Sequence, residues 1–365
     1  MNILIITHSL RYNYGGILQN YALQQILGRL GINATTLKIR RKIPFFCYFL
    51  EYMKYSIRLC MRKKSWKPLS TENLNVICRN TDLFIDKYIK MSPTMNLIDK
   101  IWVREQNFDA IVVGSDQVLH PASYKPIEDV YLSFIHNIRK IIYAGSFGFD
   151  EWQYSEQQTS RCREFLKHFA GVSARENKGV YFFENKLGVH ADLVLDPTLL
   201  LKKEDYARFV GNRPEGAVLT KYILDKNDQK ERIIQRIAKQ LDLAVISASN
   251  ENMDNNDLSP AMRQTNSVES WLTSFYHSDY IITDSFHGTC FAIIFQKRFI
   301  TIANKERGLD RFMTLLSYLG LENRLVYDES HIADLAFAPI DYENISQKLT
   351  VLRKKSIEFI IKSIE

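Results

Sequence analysis

Short apolar runs recur along the chain, and each closes on small or polar residues. "NILIIT" (2–7) is the first, an unbroken run of the kind that fills a strand covered on both faces. From Ile17 the apolar positions fall at Ile17, Leu18, Tyr21, Ala22, Ile26, Leu27 and Leu30, a helical period that Gly31 closes. "NATTLKI" (33–39) predicts a second strand and completes a strand–turn–helix–strand unit of the α/β type. Residues 43–105 read as helical or irregular. The strand plan resumes at 110–113 before the turn Gly114-Ser115-Asp116. It repeats at 140–148, around 171–173, and in "HADLVLDPTLLL", which ends at Asp196-Pro197.

The charged, turn-rich segment 201–214 predicts a domain boundary. A second α/β series follows it: strand 217–223, helix 228–242, strand 243–249, and then helix, strand, turn, helix and strand through "SVESWLTSFYHSDYIITDSFHGTCFAIIFQKRFITI". Gly308 to Leu319 reads as a further helix stopped by Gly320. The expected organisation is therefore a Rossmann-like domain over 1–200, a second over 201–340, and a helical tail over 341–365 folded back on the first domain. Two such domains in series place the expected site in the cleft between them, at the carboxyl ends of strands.

Composition changes this picture little, but charge placement adds to it. The chain has 365 residues and is 46 % hydrophobic, as a folded globular protein is. Its net charge is +7, yet residues 38–67 alone carry ten basic side chains and one acid, a net of +9. That segment also holds "IPFFCYFL" and two further tyrosines. It fits contact with an anionic membrane surface or a lipid-linked substrate, or else a solvated basic rim over an ordinary core. No nucleic-acid recognition motif accompanies the charge, so no nucleic-acid partner is expected. The five cysteines (Cys47, Cys60, Cys78, Cys162 and Cys290) are scattered, without a CxxC pair, and read as free cytosolic thiols. The start "MNILIITHSLRYNYGG" lacks the basic opening and long apolar stretch of a signal peptide. No run reaches the roughly 20 apolar residues of a spanning helix. A cytoplasmic location, at most peripheral to the membrane, is expected.

Five polar stretches at strand ends could carry chemistry. In Tyr12-Asn13-Tyr14-Gly15-Gly16 two glycines allow close backbone approach to an anion ahead of a helix; a tight turn without a ligand fits as well. The stretch is neither GxGxxG nor GxxxxGK. Asp116, just past a buried strand, reads as an acid, a base or a helix cap. Arg175 in "SARE" reads as a clamp for a carboxylate or phosphate, or as a surface partner of Glu176. Asp196-Pro197-Thr198 reads as an inter-domain turn. In "TDSFHGT" (283–289), His287 reads as a proton carrier near the cleft or as a satisfied core histidine, and Gly288 permits close backbone approach. There is no GxSxG, no HExxH and no acidic pair at metal spacing, so no metal is expected.

Taken together and in order, "YNYGGILQNYALQQIL", "VVGSDQV", "SARE", "DPTLLL", "TDSFHGTCFAIIF", "ERGLDRF" and "TLLSYLGLENR" resemble the polysaccharide pyruvyl transferase family, from about Ile3 to Arg324. The resemblance implies two Rossmann-like domains facing across a cleft in a GT-B-like arrangement. It implies transfer of the pyruvyl unit of phosphoenolpyruvate to a sugar of a cell-surface polysaccharide or its lipid-linked precursor, forming a ketal, with no cofactor. His287 is then a proton shuttle or donor ligand and Asp116 a base or acceptor ligand. Arg175 is an anion clamp with Arg307 as a second. Ser285 and Gly288 belong to the donor pocket, and Asn13, Gly15 and Gly16 line the first-domain side. The family pattern often has an arginine beside the histidine; here those positions are Ser285 and Phe286. A GT-B-type nucleotide-sugar glycosyltransferase, or a non-catalytic glycan-binding relative, are the alternatives.

Overall fold

The computed structural model describes residues 1–40, 49–50, 52–54, 68–304, 307–329, 332 and 337–365. Two wholly parallel sheets organise the chain. The first contains β1 (Asn2–Ile6), β2 (Asn33–Thr36), β3 (Ala110–Val113), β4 (Arg139–Gly145), β5 (Gly171–Ala174) and β6 (Asp192–Leu193), in the order β2-β1-β3-β4-β5-β6. The second contains β7 (Val218–Tyr222), β8 (Ala244–Ser247), β9 (Tyr280–Thr283), β10 (Arg298–Ile302) and β11 (Leu325–Val326), in the order β11-β10-β9-β7-β8. Read from β8, the second sheet repeats the order of the first: second strand outermost, then first, third, fourth and fifth. In each sheet the order reverses beside the first strand, between β1 and β3 and between β7 and β9. Such reversals open a crevice beyond the carboxyl ends of the strands.

The apolar runs became strands because helices cover both faces. β3 and β9 are buried at every position. Two helices lie where the halves meet and are buried almost all round, as a helix enclosed on every side must be. Tyr14–Arg29 is capped by Asn13, whose side chain accepts from Gly16 N. Phe286–Ile294 is capped by Ser285, and all nine of its residues are buried. One apolar cluster runs through both halves, from Ile3 and Tyr14 to Trp271 and Phe291. The Tyr14 and Trp271 rings stack 5.5 Å apart across the junction.

The last helix, Tyr342–Ile364, lies against the first sheet. Its Ser356 hydroxyl accepts from Leu195 N, and Arg353 donates to the carbonyls of Leu199 and Leu201. The α-helix before it among the described residues is Asp310–Leu319, two residues shorter at its start than Gly308 to Leu319, and Gly320 ends it in the left-handed region with φ 74°. Most of the basic segment 38–67, with Cys47 and Cys60, lies outside the described residues. Within the described part, Lys38 pairs with Asp86 and Arg40 with Asp82. Cys78, Cys162 and Cys290 are free and buried. Among the described residues no helix is long and apolar enough to cross a membrane, and no group of His, Cys, Asp and Glu side chains is placed to hold a metal ion.

Candidate active site

β3 ends in a turn that only unusual backbone can make. A Cβ on Gly114 would meet the Tyr143 carbonyl oxygen at 2.1 Å, and Asp116 takes a positive φ of 67°. The turn tucks the Asp116 side chain inward. Its Oδ2 accepts from Asn13 Nδ2 at 3.2 Å and its Oδ1 from Arg175 Nη2 at 3.1 Å. Asp116 therefore caps no helix; its carboxylate joins the N-cap of the Tyr14–Arg29 helix to the end of β5.

Arg175 follows β5 and is the hub of the cluster. Its side chain is fully buried, so it is no surface partner of Glu176. Nη1 donates to Asp196 Oδ2 at 2.7 Å, Nη2 to Asp116, and Nε lies 3.6 Å from Glu176 Oε2. The guanidinium stacks over the Phe286 ring, 4.8 Å from its centroid. Asp196 does cap the short Pro197–Leu200 helix through Thr198 N, as its turn-like sequence suggests. It also accepts from the Ser115 and Thr198 hydroxyls.

Burial alone would raise both aspartates' carboxyls. Arg175 and His287 around Asp116, and His287 and Arg175 around Asp196, more than reverse this and hold both well below the usual carboxylate range. Glu176 goes the other way. Burial lifts its carboxyl despite Arg175 and a 2.7 Å hydrogen bond from the Ser146 hydroxyl.

The second half contributes His287, in the first turn of the Phe286–Ile294 helix. Its Nε2 is 3.6 Å from Asp196 Oδ2, too far for a hydrogen bond, and has no hydrogen-bond partner although the residue is only 7 % exposed. A satisfied core histidine would not leave this atom orphaned. The imidazole lies directly on Gly15, where a Cβ would fall 2.1 Å from Nδ1. Gly16 gives similar room to Asn13 and Asp116, with a Cβ there meeting Asn13 Nδ2 at 3.2 Å. The glycine pair of the first half thus makes space for the histidine of the second.

Ser285 spends its hydroxyl on the helix cap, accepting from Gly288 N at 3.3 Å. Gly288 allows the helix to approach Thr283, whose Oγ1 would be 2.3 Å from a Cβ. Asp284, in the same turn, is structural. It accepts from Leu224 N, Asp225 N and Lys230 Nζ, and so ties β7 to β9. Arg307 stands apart from the buried cluster, in a half-exposed ion pair with Asp225 at 2.6 and 2.9 Å.

The structure brings together Asn13, Gly15, Gly16, Asp116, Arg175 and His287. Sequence reasoning missed three partners: Asp196 as a counter-ion, Phe286 as a platform for arginine, and Arg311. It offered Glu176 as a partner of Arg175 at the surface, where the structure has both side chains buried. Arg311 is buried, its guanidinium 5.8 Å from the Phe286 centroid and 5.4 Å from that of Phe312. Its Nε has no hydrogen-bond partner. Burial and the like charge of Arg175 lower its pKa to about 10, so it is still a cation at neutral pH.

Comparison with known proteins agrees with this architecture. A UDP-N-acetylglucosamine 2-epimerase described from Listeria monocytogenes superposes with a TM-score of 0.50 at 8 % identity, covering 98 % of this chain and 90 % of its own. The Staphylococcus aureus MnaA–UDP structure gives 0.48 at 10 % identity (98 % and 90 % covered). A kitacinnamycin glycotransferase gives 0.46 at 12 % (99 % and 98 %). The first of these likenesses, at 8 % identity, concerns the fold alone, two α/β domains facing across a cleft in the GT-B-like manner. No curated protein matches the sequence. A family model, that of polysaccharide pyruvyl transferases, matches residues 13–306, from the Asn13 cap through the His287 helix. The chain belongs to the polysaccharide pyruvyl transferase family and is an enzyme of pyruvyl-transferring type.

Proposed function

We propose that this enzyme moves the pyruvyl unit of phosphoenolpyruvate onto two hydroxyls of one sugar, in a cell-surface polysaccharide or its lipid-linked precursor. An acceptor hydroxyl adds to C2 of the enol while C3 gains a proton. A second hydroxyl of the same sugar then bonds C2 as the C2–O bond to phosphate breaks, closing the ketal. Two hydroxyl protons are released; one is matched by the proton at C3 and the other leaves with the phosphate.

His287 is the proton carrier. A buried imidazole with a free Nε2, at the junction of the two domains, supports this reading above any other observation. Asp116 is a poor base at neutral pH, because its neighbours hold it so firmly ionised. It serves instead as a fixed acceptor for a sugar hydroxyl, oriented by Asn13 and Arg175.

A thermal-shift panel tests the donor. Phosphoenolpyruvate should raise Tm, and UDP, UDP-sugars and GDP-sugars should not; stabilisation by the nucleotides alone would sink the reading in favour of a glycosyltransferase. With a panel of glycan and polyprenyl-phosphate-linked acceptors, His287→Gln should fold normally and lose phosphate release by about 100-fold or more, the scale of a lost proton-transfer group. We also propose that the +9 segment 38–67 holds the enzyme at an anionic membrane surface. Serine in place of its basic residues should abolish flotation with anionic liposomes, and undiminished flotation would refute the contact.

A further inference from the structure

The charges at the domain junction do not balance residue by residue. Asp116, Asp196 and Glu176 all face one guanidinium, that of Arg175. Two of the three donor nitrogens of Arg175 are hydrogen-bonded to carboxylates, and the third faces Glu176. Little of that side chain is left for a ligand. Arg311 presents the opposite case. It is 8 % exposed, its Nε has no hydrogen-bond partner, and among the described residues no carboxylate forms an ion pair with it. An unpaired buried guanidinium costs stability, and a protein that keeps one has a use for the charge.

Its surroundings indicate that use. Arg311 and Arg175 lie 5.8 and 4.8 Å from the centroid of the Phe286 ring, and the His287 imidazole packs on the same ring at 5.4 Å, edge to face. Phe286 thus holds the unpaired guanidinium, and an imidazole whose Nε2 lacks a hydrogen bond, in one locality. The Arg311 guanidinium presents the fixed charge and the forked N–H pair that a phosphate group accepts. Arg311 also lies past residue 306, the end of the family match, on the Asp310–Leu319 helix.

We propose that Arg311 forms the oxyanion subsite of this enzyme and takes the phosphate group of the donor, while Arg175 positions Asp116 and Asp196. The inference rests on the donor reading above, taking phosphoenolpyruvate as the phosphate carrier. The guanidinium fork meets two phosphate oxygens, and His287 can protonate the phosphate as it departs.

The test is calorimetric binding and thermal shift of the full chain, as wild type, Arg311→Gln and Arg311→Lys, with phosphoenolpyruvate, orthophosphate and pyruvate as probes. Phosphoenolpyruvate and orthophosphate should stabilise the wild type. Arg311→Gln should weaken both by about tenfold to 100-fold, the range for a lost charge-assisted contact. Its own Tm should fall only modestly, because Glu176 and Asp116 lose a neighbouring cation but no hydrogen bond. Arg311→Lys, which keeps the charge but not the fork, should fall between and answers for any folding defect in the glutamine variant. Equal phosphoenolpyruvate affinity in wild type and Arg311→Gln overturns the subsite and leaves the donor reading standing. Arg311-dependent orthophosphate binding without phosphoenolpyruvate binding supports the subsite and overturns the donor reading. Arg311-dependent pyruvate binding without orthophosphate binding overturns the phosphate assignment, and no response to any probe overturns both.

Discussion

At the scale of single residues, the site is a set of carboxylates competing for one arginine. Asp196 is the most deeply committed, receiving Arg175, two hydroxyls and a backbone N–H. Asp196→Asn keeps an acceptor for the helix cap and removes one charge-assisted bond to Arg175, which keeps Asp116. It should cost about 1.5–3 kcal/mol, the range for a hydrogen bond to a charged group, read by urea denaturation at neutral pH. The pH dependence follows from the directions of the shifts. Asp116 and Asp196 are depressed, so their contribution is complete above the ordinary carboxyl value of about 4 and is lost as pH falls below it. Glu176 is raised, so its contribution is present at low pH and lost as pH rises through its lifted value. The wild-type Tm should therefore drop as pH falls below about 4, and Asp196→Asn should start lower and drop less steeply. Equal slopes for the two proteins would show that Asp196 is not held ionised by its neighbours. His287, Asp116 and Arg175 were legible because each stands where an apolar run breaks at a strand end. Arg311 was not. An arginine in the first turn of "DRFMTLLSYL" looks like any solvated helix residue until Phe286, from a distant segment, is found beneath it.

At the scale of elements, the two central helices explain why glycine opens the first. Tyr14–Arg29 contains Gly15 and Gly28, and the two positions predict opposite outcomes. A methyl at Gly15 would lie 2.1–2.8 Å from three atoms of the His287 side chain, which is enclosed and cannot swing away. Gly15→Ala should cost about 1–3 kcal/mol by overpacking and abolish the phosphoenolpyruvate-dependent Tm shift. A methyl at Gly28 meets nothing within 4 Å. Gly28→Ala should gain about 0.5–1 kcal/mol and leave ligand binding intact. Denaturation curves and thermal shifts on the pair check both signs; a Gly15→Ala protein that binds phosphoenolpyruvate normally would dissociate the histidine from the donor site. Element type was readable where apolar runs were pure, as in β3 and β9. Ends were less so: the strand expected over 33–39 stops at Thr36, with only an isolated bridge at Ile39. The shared strand order was hidden for a physical reason. Order depends on which buried strands lie side by side, and parallel buried strands all present the same apolar run.

At the scale of the whole molecule, the two α/β halves share so much interior that they should behave as one unit. The apolar cluster crosses the junction, and polar ties reinforce it. Tyr14 Oη donates to the Asn266 carbonyl, Thr265 N to that of Ile77, and Asn80 Nδ2 to that of Thr265. Domains joined only by a linker melt separately, whereas a shared core forces one transition. Calorimetry of the full chain should show a single peak with matching calorimetric and van't Hoff enthalpies. Trp271 is the place to break this coupling, because it stacks on Tyr14 and packs edge to face on Phe291 at 5.1 Å. Trp271→Ala should cost about 3–5 kcal/mol. Tyr14 adjoins Gly15, and Gly15 is the surface on which His287 rests, so the same substitution should weaken phosphoenolpyruvate binding although Trp271 makes no contact with the charged cluster in the hydrogen bonds and ion pairs described. Two resolved peaks in the wild type would mean that the halves fold independently. A Trp271→Ala protein of reduced stability but unchanged affinity would mean that the site does not depend on the junction. The expected result, in which both fall together, follows from building one site out of two sheets: Asn13, Asp116, Arg175 and Asp196 belong to the first, His287 and Arg311 to the second, and the packed junction between them sets their separation.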